Sequence, residues 1–234
     1  MLYAGMMEYD GDQHIPKHYL VEPPAIEHPI GSYLCATGIT SFALSETQKF
    51  GHVTYFWNGN NSGYINQALE TYVEIPSDRI SFNEKPEMKA YEITTKTIEL
   101  LESGKYRFGR INFPNGDMVG HTGNLEASIR AVEVTDHCVG ALIYSIMKLK
   151  GVAVILADHG NADEMTMSIN GTTIPKTSHT LNPVPFAIVD GGYKGEYILN
   201  KGIQTPGLAN VAATLCNLLG YEAPKDYEPS LIQF

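Results

Sequence analysis

The sequence of 234 residues has few cysteines, no excess of basic residues and no long apolar run. Its three cysteines, Cys35, Cys138 and Cys216, stand far apart without a C-x-x-C pair, which favours reduced thiols over a disulfide framework. Sixteen Lys and Arg against 26 Asp and Glu give a net charge of −10, so we expect neither a nucleic-acid surface nor an anionic-membrane surface. The longest uncharged run, 29–45, is too polar and too short to cross a bilayer. Residues 1–7 lack the basic residues of a signal peptide, and we expect a cytoplasmic protein.

The residues that are present predict a folded α/β protein. Hydrophobic residues make up 43% of the chain and charged residues 18%, which is enough to bury a core. Strand and helix patterns alternate along most of the chain, as in a sheet with helices on its faces. The predicted strands are 52–57, 107–113, 152–157 and 184–189, the predicted helices are 86–103, 124–150 and 206–219, and a hairpin is predicted over 164–174.

Three local patterns make these predictions more specific. Residues 152–157 are six unbroken apolar residues, which is typical of a strand covered on both faces in a parallel sheet. Asn170-Gly171 is a strong signal for a hairpin turn. We expect Thr205 to cap the last helix and Gly220 to end it.

Side chains that bind metals cluster near three of the predicted strands. In an open α/β sheet, functional groups gather at the carboxyl ends of the strands. Carboxylates and imidazoles in Gly- and Ser-rich loops fit Mn²⁺, Co²⁺ or Zn²⁺. Five such ligands are too many for one tetrahedral site and suit two adjacent ions that clamp a phosphoryl group. They are Asp117 and His121 after strand 107–113, Asp158 and His159 after strand 152–157, and His179 ahead of strand 184–189.

Each of these residues also has an ordinary structural explanation. A single histidine such as His179 is most often a structural residue, and an aspartate at a strand end most often caps a helix or a turn. Asp158 and His159 are harder to explain in that way, because polar groups directly after six apolar residues cost free energy unless they have partners. The presence of all three groups of ligands, near three predicted strands, favours a dinuclear metal centre.

Several motifs resemble those of the cofactor-independent phosphoglycerate mutases, a family of the alkaline-phosphatase superfamily. The most specific are D-M-V-G-H-T-G (117–123), A-D-H-G-N-A (157–162) and S-H-T-L (178–181). The likeness covers essentially the whole chain and is closest to the plant and trypanosomatid branch. Further matching segments lie at 2–12, 52–60, 84–92 and 207–214.

The resemblance implies an alkaline-phosphatase-like fold, a mostly parallel sheet flanked by helices, and a complete set of metal ligands. Asp117, His121 and His179 would hold one divalent ion, and Asp158 and His159 would hold the other. Mn²⁺ or Co²⁺ is implied ahead of Zn²⁺ or Mg²⁺, and no 2,3-bisphosphoglycerate is required.

The reaction implied is the glycolytic interconversion of 3-phosphoglycerate and 2-phosphoglycerate through a phosphoserine. Lys85, in K-P-E-M, matches the lysine that the family aims at the phosphoryl group. A cation beside the metals is reasonable there because it stabilises the charge that develops on the phosphoryl oxygens. Without the resemblance, Lys85 is interpreted as a solvated lysine ahead of a helix.

The resemblance also implies that the chain is the C-terminal part of a longer protein. The family's nucleophilic serine and an aspartate beside it belong to an N-terminal segment without a counterpart here, so no serine is proposed as the nucleophile. Residues 1–55 would be the tail of the substrate-gripping transferase domain, and 56–234 would be the phosphatase domain, incomplete at its N-terminal side. We expect the chain to need that segment, and the whole protein to be a monomer. Asn61 stands where relatives are expected to carry a basic residue.

Two other functions remain open from the sequence. The first is a metal-dependent phosphate-ester hydrolase, which would release inorganic phosphate where the mutase would not. The second is a metal-binding fragment without activity, as the missing serine suggests.

Overall fold

The structure is a computed structural model that describes residues 3–8, 15–22, 24 and 26–234. The motif at 2–12 and the predicted domain tail at 1–55 therefore lie partly outside the described residues. The α-helices that it describes are α1 (Ile30–Ala36), α2 (Thr47–Val53), α3 (Ala90–Glu102), α4 (Asn115–Gly120), α5 (Leu125–Lys148) and α6 (Val211–Leu218). The strands are β1 (Ser41–Glu46), β2 (Glu70–Ile75), β3 (Phe108–Asn112), β4 (Val152–Leu156), β5 (Thr166–Ile169), β6 (Thr172–Pro175), β7 (Phe186–Asp190), β8 (Ile198–Leu199) and β9 (Ile232–Gln233).

The chain divides into two compact units. Unit 1 comprises the described residues of Met1–Leu142 together with Asn161–Ser178, and unit 2 comprises Ile143–Gly160 and His179–Phe234. β1 comes from the range 1–55 and pairs with β2 and β3, which come from the range 56–234. The division at residue 55 that the resemblance implies stays a prediction.

Unit 1 contains a three-stranded parallel sheet in the order β2-β1-β3. All six residues of the central strand β1 are buried, because strands pair with it on both sides and side chains pack on both faces. Phe42 and Leu44 of β1 form a core cluster with Ile93 of α3. Both α2 and α3 pack against this sheet, which confirms an α/β fold with helices flanking parallel strands.

The strand predicted at 52–57 is wrong. Its first residues complete α2, and a series of turns follows, in which the Phe56 amide donates to the Gly51 carbonyl. The Thr54 hydroxyl likewise donates to the Phe50 carbonyl. Burial of Val53 and the stacking of Trp57 on Phe108 outweigh the strand propensity of these residues.

The other predicted elements of unit 1 are present. β3 confirms the strand at 107–113, and β5 and β6 confirm the hairpin, with positive φ angles at Asn170 (52°) and Gly171 (80°). α3 begins later than predicted, at Ala90, because Met88 has a φ of 46° that a helix cannot include. The predicted helix at 124–150 corresponds to α5, most of which belongs to unit 1.

Unit 2 contains the antiparallel pairs β4–β7 and β8–β9. The prediction that 152–157 is a covered parallel strand is therefore wrong in pairing and in burial. β4 runs antiparallel to β7, and Val152 and Leu156 remain 39% and 38% exposed. An apolar run indicates a strand but does not specify its partner or its direction.

The last predicted helix is present with a different start. A 3₁₀ turn over Leu208–Asn210 precedes α6, and Asn210 Oδ1 accepts the Gly207 amide at 2.8 Å, so Thr205 is not the cap. Gly220 ends the helix as predicted, with a φ of 86°. All three cysteines are free thiols. In the part of the chain that the structure describes, no helix is long and apolar enough to cross a membrane.

Candidate metal centre

In unit 1, the short helix α4 brings two of the predicted ligands together. Asp117 lies in its first turn and His121 ends it, and residues four apart share one face of a helix. Asp117 Oδ1 lies 3.0 Å from His121 Nε2. α4 follows β3 after a two-residue connection, so the pair lies beyond the carboxyl end of a parallel strand, as the sequence predicts.

The tautomer of His121 follows from its second contact. Its Nδ1 lies 2.6 Å from the Thr177 carbonyl oxygen, which can only accept, so Nδ1 carries a hydrogen. In the neutral imidazole, Nε2 then directs a lone pair at Asp117 Oδ1. The carboxylate oxygen and the imidazole nitrogen are both atoms that a divalent metal ion accepts as ligands.

Asp117 is an ionised carboxylate that several polar side chains contact. Lys49 Nζ lies 2.6 Å from its Oδ2, and Asn161 Nδ2 donates to its Oδ1 at 2.8 Å. Burial raises the pKa of Asp117, but the hydrogen bonds from Lys49 and Asn161 and the charges of Lys49 and His121 outweigh burial and lower the pKa to about 2. The carboxylate is therefore a ready metal ligand at neutral pH.

Lys49 is a functional candidate that sequence reasoning missed. It lies in α2 and is only 5% exposed, and its ammonium is committed to a predicted metal ligand. A buried lysine is uncommon unless it is paired. In the segment E-T-Q-K-F-G-H no local pattern separates Lys49 from an ordinary solvated lysine, so only the tertiary structure reveals it.

In unit 2, the antiparallel pairing of β4 with β7 explains how the remaining predicted ligands meet. Leu156 at the end of β4 pairs with Phe186 at the start of β7, so the segments after β4 and before β7 lie side by side. A bridge in which the Thr180 amide donates to the Gly160 carbonyl joins the two segments. The rings of His159 and His179 stack with centroids 3.8 Å apart.

Asp158 completes this group. Its Oδ2 lies 3.6 Å from His159 Nε2, and its side chain is 48% exposed. Unit 2 thus gathers one carboxylate and two imidazoles, and unit 1 gathers Asp117 and His121. These donors fit Mn²⁺, Co²⁺ or Zn²⁺ in chemistry, since each ion accepts imidazole nitrogen and carboxylate oxygen. The division of the five ligands between two ions stays a prediction.

Lys85 lies in a different environment of unit 1. Its Nζ is 2.5 Å from Asp78 Oδ2, and Lys89 Nζ is 2.6 Å from Asp78 Oδ1. Hydrogen bonds from both lysines lower the pKa of Asp78. Lys85 is 41% exposed and lines a shallow crevice with Glu46 and Phe82. Its role towards a phosphoryl group stays a prediction.

The family of the chain follows from a comparison with known proteins. Residues 11–223 match the family model of the metalloenzyme superfamily. The chain belongs to the metalloenzyme superfamily. This membership agrees with the metal-type ligands in both units and confirms the resemblance seen in the motifs.

Similar members of the superfamily are phosphoglycerate mutases. The chain is 50% identical, over 99% of its length, to a 2,3-bisphosphoglycerate-independent phosphoglycerate mutase of Trypanosoma brucei brucei, and covers 44% of that protein. It is 52% identical to such a mutase of Arabidopsis thaliana, of which it covers 43%. A crystal structure of Leishmania mexicana phosphoglycerate mutase at low cobalt concentration matches with a TM-score of 0.94 at 52% identity, over 99% of this chain and 44% of that one. The chain thus spans less than half the length of these relatives.

Proposed function

We propose that this chain supplies the metal-binding part of a cofactor-independent phosphoglycerate mutase. The whole protein interconverts 3-phosphoglycerate and 2-phosphoglycerate through a phosphoserine, and its serine comes from a segment outside this chain. The observation that carries the proposal is the Asp117–His121 pair, in which a lowered pKa and a fixed tautomer leave two ligand atoms 3.0 Å apart. The sequence identity of about 50% to phosphoglycerate mutases supports phosphoglycerate as the substrate.

The proposed cofactors are two divalent ions, Mn²⁺ or Co²⁺. Following the motifs, Asp117, His121 and His179 serve one ion, while Asp158 and His159 serve the other. When bound, the ions polarise phosphoryl oxygens and stabilise the charge that develops on them. The cobalt named for the Leishmania mexicana structure supports Co²⁺ as one acceptable ion. The side chains of this chain would fix the positions of the ions. The burial of Asp117, whose side chain is 13% exposed, keeps water away from one side of the carboxylate.

An anionic substrate approaching a chain of net charge −10 needs local positive charge. The two divalent ions would supply it, and Lys49 places an ammonium next to a metal ligand, 2.6 Å from Asp117 Oδ2. Lys85 is the lysine that the motif assigns to the phosphoryl group, and Asp78 holds its ammonium in place. We propose that one of these two lysines contacts the transferred phosphoryl group, with Lys49 favoured by its burial.

The proposal extends to the setting of the enzyme. It acts as a cytoplasmic monomer in glycolysis, and the chain requires the complementary segment that carries the serine. That requirement agrees with the chain's coverage of 44% of its relatives.

The test mixes the Mn²⁺-loaded chain with the part of the Leishmania mexicana enzyme that this chain does not cover. The mixture receives 3-phosphoglycerate, and the formation of 2-phosphoglycerate is measured. His159→Ala should abolish product formation. His137→Ala, on the exposed side of α5, is the matched control and should retain it. Full activity in His159→Ala, or no activity in the unmodified mixture, would contradict the proposal.

A further inference from the structure

We propose that Asn161 is a positioning residue that holds Asp117 in the orientation required for metal binding. Asn161 is 4% exposed and lies in unit 1 with Asp117. Its Nδ2 donates twice to the same residue, to Asp117 Oδ1 at 2.8 Å and to the Asp117 carbonyl oxygen at 3.2 Å. One amide thereby ties the side chain of Asp117 to its own main chain, which fixes the torsion angles between them.

The orientation of the Asn161 amide follows from chemistry. The main-chain carbonyl oxygen of Asp117 can only accept a hydrogen bond, so the NH₂ end of Asn161 must point at it and at the neighbouring Oδ1. Asn161 Oδ1 then points away from Asp117 and has no hydrogen-bond partner among the residues that the structure describes.

Gly120 makes room for this arrangement. A Cβ added to Gly120 would overlap Asn161 Oδ1 and Cγ, which lie where that atom would stand. The helix α4 therefore ends in glycine so that the Asn161 side chain can reach back to Asp117, one turn earlier in the same helix. For Gly116, in the same helix, no described residue beyond its neighbours comes within 4 Å of an added Cβ.

The effect on a metal ion is one of preorganisation. Asp117 Oδ1 accepts the hydrogen bond from Asn161 and also faces His121 Nε2. Asn161 therefore fixes the carboxylate oxygen that would bind a metal ion together with His121. Without Asn161 the carboxylate keeps the Lys49 contact to Oδ2 but loses the hydrogen bond to Oδ1, so Oδ1 is less ordered before a metal ion binds and the ion must order it. Residues that orient a metal ligand in this way typically change metal affinity by about 10- to 100-fold when they are replaced.

The test measures Mn²⁺ affinity by calorimetry on the full chain, for the unmodified protein and four variants. The Asp117→Ala variant defines how much of the binding belongs to the Asp117 site. We expect Asn161→Leu, which keeps the volume and removes the donors, to weaken Mn²⁺ binding at that site by about 10- to 100-fold. Gly120→Ala should do the same by displacing Asn161, whereas Gly116→Ala should bind as the unmodified chain does.

A double-mutant cycle separates positioning from a general structural role. If Asn161 acts through Asp117, Asn161→Leu should weaken Mn²⁺ binding no further in an Asp117→Ala background. An equal loss in both backgrounds would overturn the inference. So would folded Asn161→Leu and Gly120→Ala variants with unchanged affinity, or an unmodified chain that binds no more Mn²⁺ than Asp117→Ala.

The inference concerns the metal site of the proposed function, and its test can fail independently of that function. A chain whose variants behave as expected but whose complemented mixture forms no 2-phosphoglycerate would refute the mutase and leave the role of Asn161 intact. An active mixture with unchanged variant affinities would refute the role of Asn161 alone.

Discussion

Lys49 Nζ lies 2.6 Å from Asp117 Oδ2, and the two side chains are 7% and 13% exposed. A helix of the parallel-sheet unit thus delivers an ammonium to the carboxylate that the sequence marks as a metal ligand. The ammonium neutralises a carboxylate charge that would otherwise be buried alone.

Replacing Lys49 by Met should destabilise the metal-free protein by about 3–5 kcal/mol, because it leaves the Asp117 carboxylate buried without its ammonium. Added Mn²⁺ should recover part of that loss, since it restores a cation at the carboxylate. The measurement is urea unfolding with and without a chelator. Lys96→Met removes an exposed ion pair with Glu99 and should change stability by less than about 0.5 kcal/mol. Equal effects of the two variants would contradict the ion-pair argument.

The two lysine candidates can be separated by turnover. We expect Lys49→Ala to lower kcat in the complemented enzyme by about 10²–10³-fold, the usual loss when a group that stabilises developing charge is removed. Lys85→Ala should have the smaller effect, because water screens the charge of a side chain that is 41% exposed, whereas the Lys49 side chain is only 7% exposed. Steady-state kinetics of both variants decide the question, and a larger loss in Lys85→Ala would assign the role to Lys85.

The contribution of Asp78 to the stability of the fold should decrease as the pH falls. Hydrogen bonds from Lys85 and Lys89 lower its pKa in the folded state. The stability that it contributes is therefore complete above the unfolded pKa of about 3.9 and is lost as the pH falls through the lower folded value. Carbon NMR titration of the carboxyl group should give a midpoint below the ordinary value, and Asp78→Asn should remove the corresponding pH dependence of stability. A midpoint at or above the ordinary value would show that the two contacts are not made in solution.

The packing of β3 on β1 can be tested with glycines. A Cβ added to Gly109 of β3 would overlap the ring of Phe42 in β1, so Gly109→Ala should cost about 1–3 kcal/mol. Gly51 of α2 has open space around an added Cβ, and Gly51→Ala should be neutral or stabilise by up to about 1 kcal/mol. Thermal unfolding of both variants measures the difference, and similar melting temperatures would argue against this close approach of the two strands.

The sequence predicts those elements whose signals are local. Asn170-Gly171 predicts the hairpin and Gly220 predicts the end of α6, because positive φ angles at these residues are a property of the residue types. The ligand candidates are also predictable, since Asp117 and His121 share a helix face by spacing alone.

The features that the sequence does not predict depend on tertiary contacts. The direction of β4 is set by its pairing with β7, which the apolar run 152–157 does not encode. Residues 52–57 have a high strand propensity, but they form the end of α2 and turns because this places Val53 in the core and Trp57 against Phe108. Lys49 and Asn161 contact Asp117 from 68 and 44 positions away in the sequence, a proximity that only the fold creates.

The measurement that tests the central claim most directly is phosphorus NMR of 3-phosphoglycerate incubated with the Mn²⁺-loaded chain and its complementary segment. The account predicts that the 2-phosphoglycerate resonance grows to an equilibrium mixture, that no inorganic phosphate appears, and that a chelator stops the conversion. Growth of inorganic phosphate in place of 2-phosphoglycerate would mean a phosphate-ester hydrolase. An unchanged spectrum would mean a metal-binding fragment without this activity, and either result would contradict the account.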